Sequence, residues 1–185
     1  MIRKCLLETD GYQIAFDFKG QPTPQEVDMV VTFMLNPPLC PQFSALSAPT
    51  FISLSDLRRL RHYFLSHIAQ LQQNPDRESY PFVPLGLGFQ VQALSGDVFS
   101  ENEAALAGEF TIRFMVNVGR SHNENAAVYV GGETAVTVAN INHFLVNLDL
   151  TLSELSRGNN GNKQKKDWQA DPRPAQPTSP QIATT

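Results

Sequence analysis

Cysteine is scarce in this chain: Cys5 and Cys40 are the two thiols among 185 residues. Two cysteines cannot build a disulfide framework, and at most they pair once. Nothing else points to secretion, so reduced thiols and a cytoplasmic setting are expected. The opening MIRKCLLETDGYQ has only a scrap of apolar sequence before its first charges, so it does not read as a secretory leader. No run approaches the ~20 apolar residues of a membrane-spanning helix, and no membrane partner is expected. Basic charge is also thin. Residues 1–156 hold nine Lys/Arg against sixteen Asp/Glu, a net of −7, and residues 157–185 hold five against two, a net of +3. Non-specific nucleic-acid binding needs a basic surface that displaces counterions, so an acidic body excludes nucleic acid as the expected partner.

The signatures of catalysis are missing as well. His62 and His67 are five residues apart, about 140° around a helix at 100° per residue. A metal-binding pair wants a spacing of three or four. His62 reads as solvated, His67 as a packed, hydrogen-bonded histidine, His122 as part of a hairpin connection and His143 as the outer side of a helix. No His-Glu-x-x-His, no Cys-x-x-Cys and no carboxylate cluster at ligand spacing occurs. There is no Gly-x-Ser-x-Gly elbow, and Ser95-Gly96-Asp97 reads as a turn. Cys40, between prolines, would need a neighbouring base to become a nucleophile. Hence no catalytic residue, no metal and no cofactor is expected, and the chain is not expected to be an enzyme.

What the sequence does hold is periodicity. Tyr12, Ile14, Phe16 and Phe18 alternate with polar residues as a half-buried strand, and Asp10-Gly11 turns back to a short edge strand over 2–8. Residues 23–35 fit two patterns. Thr23-Pro-Gln-Glu26 is a helix capping box, yet Val27, Met29, Val31, Phe33 and Leu35 alternate; strand composition favours a hairpin with 12–18, with helix as the rival. A proline-rich loop follows, NPPLCPQFSALSAP. Over 53–73, Leu57, Leu60, Phe64, Ile68 and Leu71 form one helical stripe behind a Ser53 cap. Strands are expected over 82–94, where Leu85, Leu87, Phe89, Val91 and Ala93 alternate with glycine and glutamine, and over 109–118. An acidic loop with a helical turn at 101–106 is expected between them. A short strand over 126–131 leads to a helix over about 136–156, striped by Val138, Ile141, Leu145, Leu148, Leu152 and Leu155 with Phe144 beside them. One apolar face per element predicts an α+β fold: a two-layer antiparallel β-sheet with two long amphipathic helices packed on one face. This domain spans 1–156. Residues 157–185, rich in Gly, Asn, Gln and Pro, have too little to bury and are expected to form a disordered tail.

Function is then expected at a surface. The sheet's outward face would show Gln90, Gln92, Thr111, Arg113, Met115 and Asn117, and Gly86 and Gly88 mark a strip where another backbone or ring can approach closely. Val146 and Leu150 face outward on the second helix, and Trp168, the only tryptophan, lies in the tail. The expected role is a non-catalytic interaction module, an adaptor or assembly chaperone that binds a peptide or subunit by its sheet face or an edge strand. A homodimer is among the arrangements this allows. Two alternatives stay open: a regulatory domain binding a small anionic ligand near Gly131, Gly132 and Arg113, and a small enzyme with an unrecognised site. In VYVGGETAV, Glu133 has the wrong sign for an anion loop. The two glycines read instead as a joint between the last strand and the last helix, where replacing either with alanine should cost stability.

Overall fold

A computed structural model describes residues 4–37, 39, 43–102, 105–120 and 126–167. Cys40, His122 and Trp168 lie outside the described residues. The chain runs sheet, helix, sheet, helix. Strands β1 (Lys4–Glu8), β2 (Tyr12–Thr23), β3 (Glu26–Leu35), β4 (Ser44–Leu46) and β5 (Thr50–Ser53) precede helix α1 (Leu54–Leu71). Strands β6 (Phe89–Asn102), β7 (Ala105–Arg120) and β8 (Ala127–Thr137) precede helix α2 (Val138–Asp167).

The fold is α+β with antiparallel pairing throughout, as the alternation predicts. The strands divide between two sheets. The first has the order β1-β2-β3, with β4 and β5 pairing opposite ends of the far edge of β3, and the second has the order β6-β7-β8. On the outer edge of β6 lies the segment 79–82. Ser79 N–H donates to Ala93 O at 2.9 Å, and Phe82 exchanges two backbone bonds with Val91.

The ambiguity at 23–35 resolves to strand. Val27, Met29, Val31 and Phe33 are buried in β3, and Thr23 and Glu26 face each other across the hairpin turn. There the Thr23 hydroxyl donates to the Glu26 carboxylate at 3.3 Å, so the two residues that suggested a helix cap close a hairpin instead. Among its described residues, the proline-rich stretch holds one regular piece, β4. Ser53 caps α1 by accepting from Asp56 N–H at 2.9 Å, and the whole predicted stripe of α1 is buried. The stripe of α2 is buried too, and its first turn is capped by Thr137, whose hydroxyl accepts from Asn140 N–H at 3.1 Å. The backbone of α2 continues to Asp167, beyond the expected boundary at 156. Among the described residues, no helix is long and apolar enough to cross a membrane.

The second sheet departs most from expectation. β6 begins at Phe89, not near 82, and runs through the expected acidic loop to Asn102. β7 begins at Ala105, so 101–102 and 105–106 of the predicted helical turn are strand, and 103–104 lie outside the described residues. Ser95-Gly96-Asp97 is not a turn but a bulge inside β6, where the register shifts between Ala93 and Gly96. β8 runs to Thr137, so GGET lies inside a strand.

Both sheets turn their apolar faces to one core, into which the helices press their stripes. Phe16 on β2 is the junction. Its ring lies 5.3 Å from Phe89, 5.9 Å from Phe114 and 5.5 Å from Phe144, so one side chain touches β6, β7 and α2. Nearby, Tyr12 crosses from the first sheet to the second, its hydroxyl donating to Ile112 O at 3.0 Å. His67 is packed and hydrogen-bonded, as expected. Its Nε2 is 3.0 Å from Leu94 O, which can only accept, so Nε2 carries the proton and Nδ1 accepts from the Ser79 hydroxyl at 2.9 Å. Burial holds this imidazole below the ordinary histidine range and the Arg77 charge adds to that, while the bond to Leu94 opposes it.

Two outcomes follow from this core. Phe16→Ala should destabilise the chain by about 3–5 kcal/mol in denaturant unfolding, because it empties a site shared by three elements. The folded protein protonates His67 less readily than the unfolded chain. Stability is therefore complete above the unfolded pKa of about 6.5 and falls as pH drops through it. In melts at stepped pH, His67→Gln should show a flatter profile than wild type between about pH 7 and 5.

Candidate docking surface

The outward face of β6-β7-β8 is built from rungs fixed by register. Gln92 faces Arg113, which faces Glu133; Gln90 faces Met115, which faces Gly131; Asn117 faces Tyr129. The alternation that buries Phe110, Ile112, Phe114 and Val116 sends Thr111, Arg113, Met115 and Asn117 to this side. The structure thus brings together Gln90, Gln92, Arg113, Met115 and Asn117, as the sequence predicts. Arg113 is fully engaged there. Its Nε donates to Glu133 at 2.9 Å, its second terminal nitrogen lies 2.7 Å from the same carboxylate, and Nη1 donates to Gln92 Oε1 at 3.1 Å. Both ionic partners are about half exposed, so the pair contributes only ~0–1 kcal/mol; its main effect is to order the face.

That pairing weighs against the anion reading. Gly131 and Gly132 are mid-strand opposite Met115 and Phe114, and the nearest cation is held by Glu133. The glycines are not a joint either. A Cβ on Gly131 would meet Phe114 O at 1.8 Å, so glycine there permits close approach of β7. A Cβ on Gly132 would meet Phe33 and Tyr12 ring atoms at 3.5 and 3.7 Å, an ordinary contact.

Val146 and Leu150 are exposed on α2, as expected. They lie away from the sheet face, because α2 packs on the core side through Phe144 and Leu148. Beside them Arg61 and Asp149 join the two helices at 2.8 Å. The strip expected at Gly86 and Gly88 is filled by the chain itself. A Cβ at Gly86 would meet Phe51 O at 2.1 Å, and one at Gly88 would meet Thr50 Cγ2 at 2.4 Å. The close approach is that of β5. Among the described residues, no three His, Cys, Asp or Glu side chains gather as metal ligands. Cys5 is buried and its thiol is pushed up to about 12 by desolvation, which disfavours the thiolate at that position.

Sequence reasoning missed the loop 83–88. It continues the alternation of β6 on paper, but Leu85 is 72% exposed and Leu87 is 50% exposed. Leu87 has φ 54°, the left-handed region that non-glycine residues rarely adopt. The loop is held there by its backbone. Leu85 N–H donates to the buried Asp56 carboxylate at 3.1 Å, and Leu87 N–H donates to Pro84 O at 3.0 Å. Gly86 O accepts from the Thr50 hydroxyl at 2.6 Å, and Gly88 O accepts from Asn117 N–H at 3.0 Å. Leu87 O accepts from the Asn117 side chain at 2.9 Å and from the Tyr129 hydroxyl at 3.3 Å. Asn117 O also accepts from Ala48 N–H at 2.8 Å, so β7, β8, the loop and the β4–β5 connection meet at this residue. Exposed Leu46, Leu85, Leu87, Val118 and Val128 lie within one or two positions of these bonded groups along the chain. The available signal was Pro84 beside two glycines, which are loop punctuation rather than strand.

The outer edge of β8 completes the surface. Among the described residues it takes one backbone bond from outside its sheet, from Asp10 N–H to Ala135 O at 3.1 Å.

The two glycines now separate. Gly131→Ala should cost about 1–3 kcal/mol in thermal or urea unfolding, since backbone must move. Gly132→Ala should be neutral, or stabilising by up to about 1 kcal/mol. Compared with known proteins, the chain matches no family model, and no curated protein matches it.

Proposed function

We propose that this chain is a non-catalytic interaction module, an adaptor or assembly factor that docks another protein onto the aliphatic rim around Asn117 and the adjoining sheet face. One observation carries the reading. Leu85 and Leu87 are exposed on a loop whose backbone is tied at Pro84 O, Leu85 N–H, Gly86 O, Leu87 N–H, Leu87 O and Gly88 O, and Leu87 stays in a conformation that costs of order 1–3 kcal/mol. A loop under no demand would relax or bury its leucines. Held outward and rigid, they can enter a partner's apolar pocket with little ordering entropy left to lose. The half-buried Met115 and the amide groups of Gln90 and Gln92 supply adaptable contacts and hydrogen bonds at the edge of such an interface.

Leu87→Gly separates the two roles of this residue. Glycine relieves the backbone, so the melting temperature should hold or rise, with a change of roughly 0–1 kcal/mol. A photo-crosslinker placed at Leu85 should trap a protein adduct in cells expressing the otherwise wild-type chain, and the adduct should fade with Leu87→Gly. If the adduct persists in that variant, or none forms, the reading is wrong.

A further inference from the structure

A second surface, on the opposite side of the strap that closes β6, has a different chemistry. The strap is the segment 77–83. Together with the outer face of α1 it walls a groove of about 740 Å³. On the helix the lining residues include Ser55, Arg58, His62, Ser66 and Gln70, spaced by three and four, so they form one line along the axis. From Ser55 to Gln70 that line extends about 22 Å. The strap wall is fixed by its backbone bonds to β6 and by the His67–Ser79 contact behind it.

The groove concentrates positive charge in an acidic body. Arg58, Arg59 and Arg77 line it. Arg59 is shared with Asp56 at 2.7 Å and sits over the Phe82 ring, 5.4 Å from its centre. Arg77 is held at the far end by a bond from its Nε to Gln70 Oε1 at 3.1 Å, and its neighbours Asp76 and Glu78 are not part of the lining. Arg58 is exposed and has no carboxylate partner among the described residues. Three cations therefore line the groove and no carboxylate does, with Asp56 paired to Arg59 behind it and Asp76 and Glu78 flanking Arg77 in sequence. Tyr80, 90% exposed, stands at the strap wall with its hydroxyl in solvent.

Spacing selects the ligand. Arg58 and the Gln70 that holds Arg77 are twelve residues apart on the helix, about 18 Å. That is too far for one compact anion to reach both. An extended polypeptide rises ~3.3 Å per residue, so five or six residues cover the distance. A nucleic-acid strand would bring a denser line of phosphates into a body whose net charge over residues 1–156 is −7, whereas a peptide with acidic residues at its two ends matches the two cationic ends. The chain's own residues 157–185, at +3, have the wrong sign. We infer that this groove receives an extended acidic segment of another protein, with carboxylates meeting Arg58 at one end and Arg77 at the other. The inference rests on charge and spacing at α1, independently of the rim around Asn117.

The test uses the full chain and two dye-labelled heptapeptides, one with paired glutamates at each end of a serine spacer and one with glutamines in their place. Fluorescence anisotropy at low salt should show binding of the glutamate peptide, weakening as salt is raised, and at least tenfold weaker binding of the glutamine peptide. Arg58→Glu with Arg77→Glu should weaken binding about tenfold or more, Arg58→Ala with Arg77→Ala should weaken it less, and Arg120→Glu, off the groove, should leave it unchanged. Thermal melts confirm that the variants fold; the alanine pair serves if the glutamate pair does not. The inference is overturned if the two peptides bind alike, if no binding occurs at low salt, or if the groove variants bind as wild type does. It is also overturned if inorganic phosphate or an oligodeoxythymidylate competes more strongly than the unlabelled glutamate peptide.

Discussion

The contact of Phe16 with Phe89, Phe114 and Phe144 is the constraint on which the rest of the molecule depends. Neither sheet can bury its apolar face by itself. The first contributes Ile14, Phe16, Val31 and Phe33, the second Phe89, Val91, Ile112 and Phe114, and each face is sealed only by the other and by the helices. Aromatic rings at 5–6 Å in edge and tilted arrangements fix relative positions more tightly than aliphatic contact does. With that junction set, Tyr12 can reach Ile112 O, and the outward face of β6-β7-β8 is left to solvent. The exposed rim around Asn117 is thus a by-product of where the core closes.

Polar groups then pin what the core positions. Asp56 and Asn117 tie the loop 83–88 to α1 and β7 through its backbone groups, and His67 ties α1 to β6 through Leu94 O and to the strap through the Ser79 hydroxyl. A buried donor or acceptor left without a partner costs about 1–3 kcal/mol, so such ties are hard to exchange. No buried side-chain nitrogen or oxygen among the described residues lacks a partner. This is why the segment 75–88, which has almost no regular structure, can present side chains as firmly as a strand does.

The sequence was most readable where one period held over many residues. The stripes Leu57–Leu71 and Val138–Leu155 repeat over four or five turns, and β2, β3 and β7 alternate cleanly, so the antiparallel α+β fold and the face carrying Gln92, Arg113 and Met115 were legible. Failures came where local pattern and tertiary contact disagreed. Leu85 and Leu87 keep the phase of Phe89 and Val91, but β5 arrives beside Gly86 and pulls the loop out of the ladder. Gly131 looks like punctuation because glycine pairs usually turn the chain, yet it serves a strand-to-strand approach that only pairing with Phe114 and Met115 reveals. The groove was invisible because Arg58 and Arg77 are joined by folding, not by any motif.

The second sheet is asymmetric at its borders. The strap covers part of the β6 side, while among the described residues the outer edge of β8 takes one backbone bond, from Asp10. A sheet open on both sides can recruit neighbours without limit, and that is the geometry of fibres. A partly covered border changes the arithmetic. Bonds to Phe82, Ser79 and Pro75 occupy β6 from Val91 to Gly96, so a further strand could pair there only by displacing them. The short stretch from Ser79 to Phe82 thus guards that part of the border as well as forming a wall.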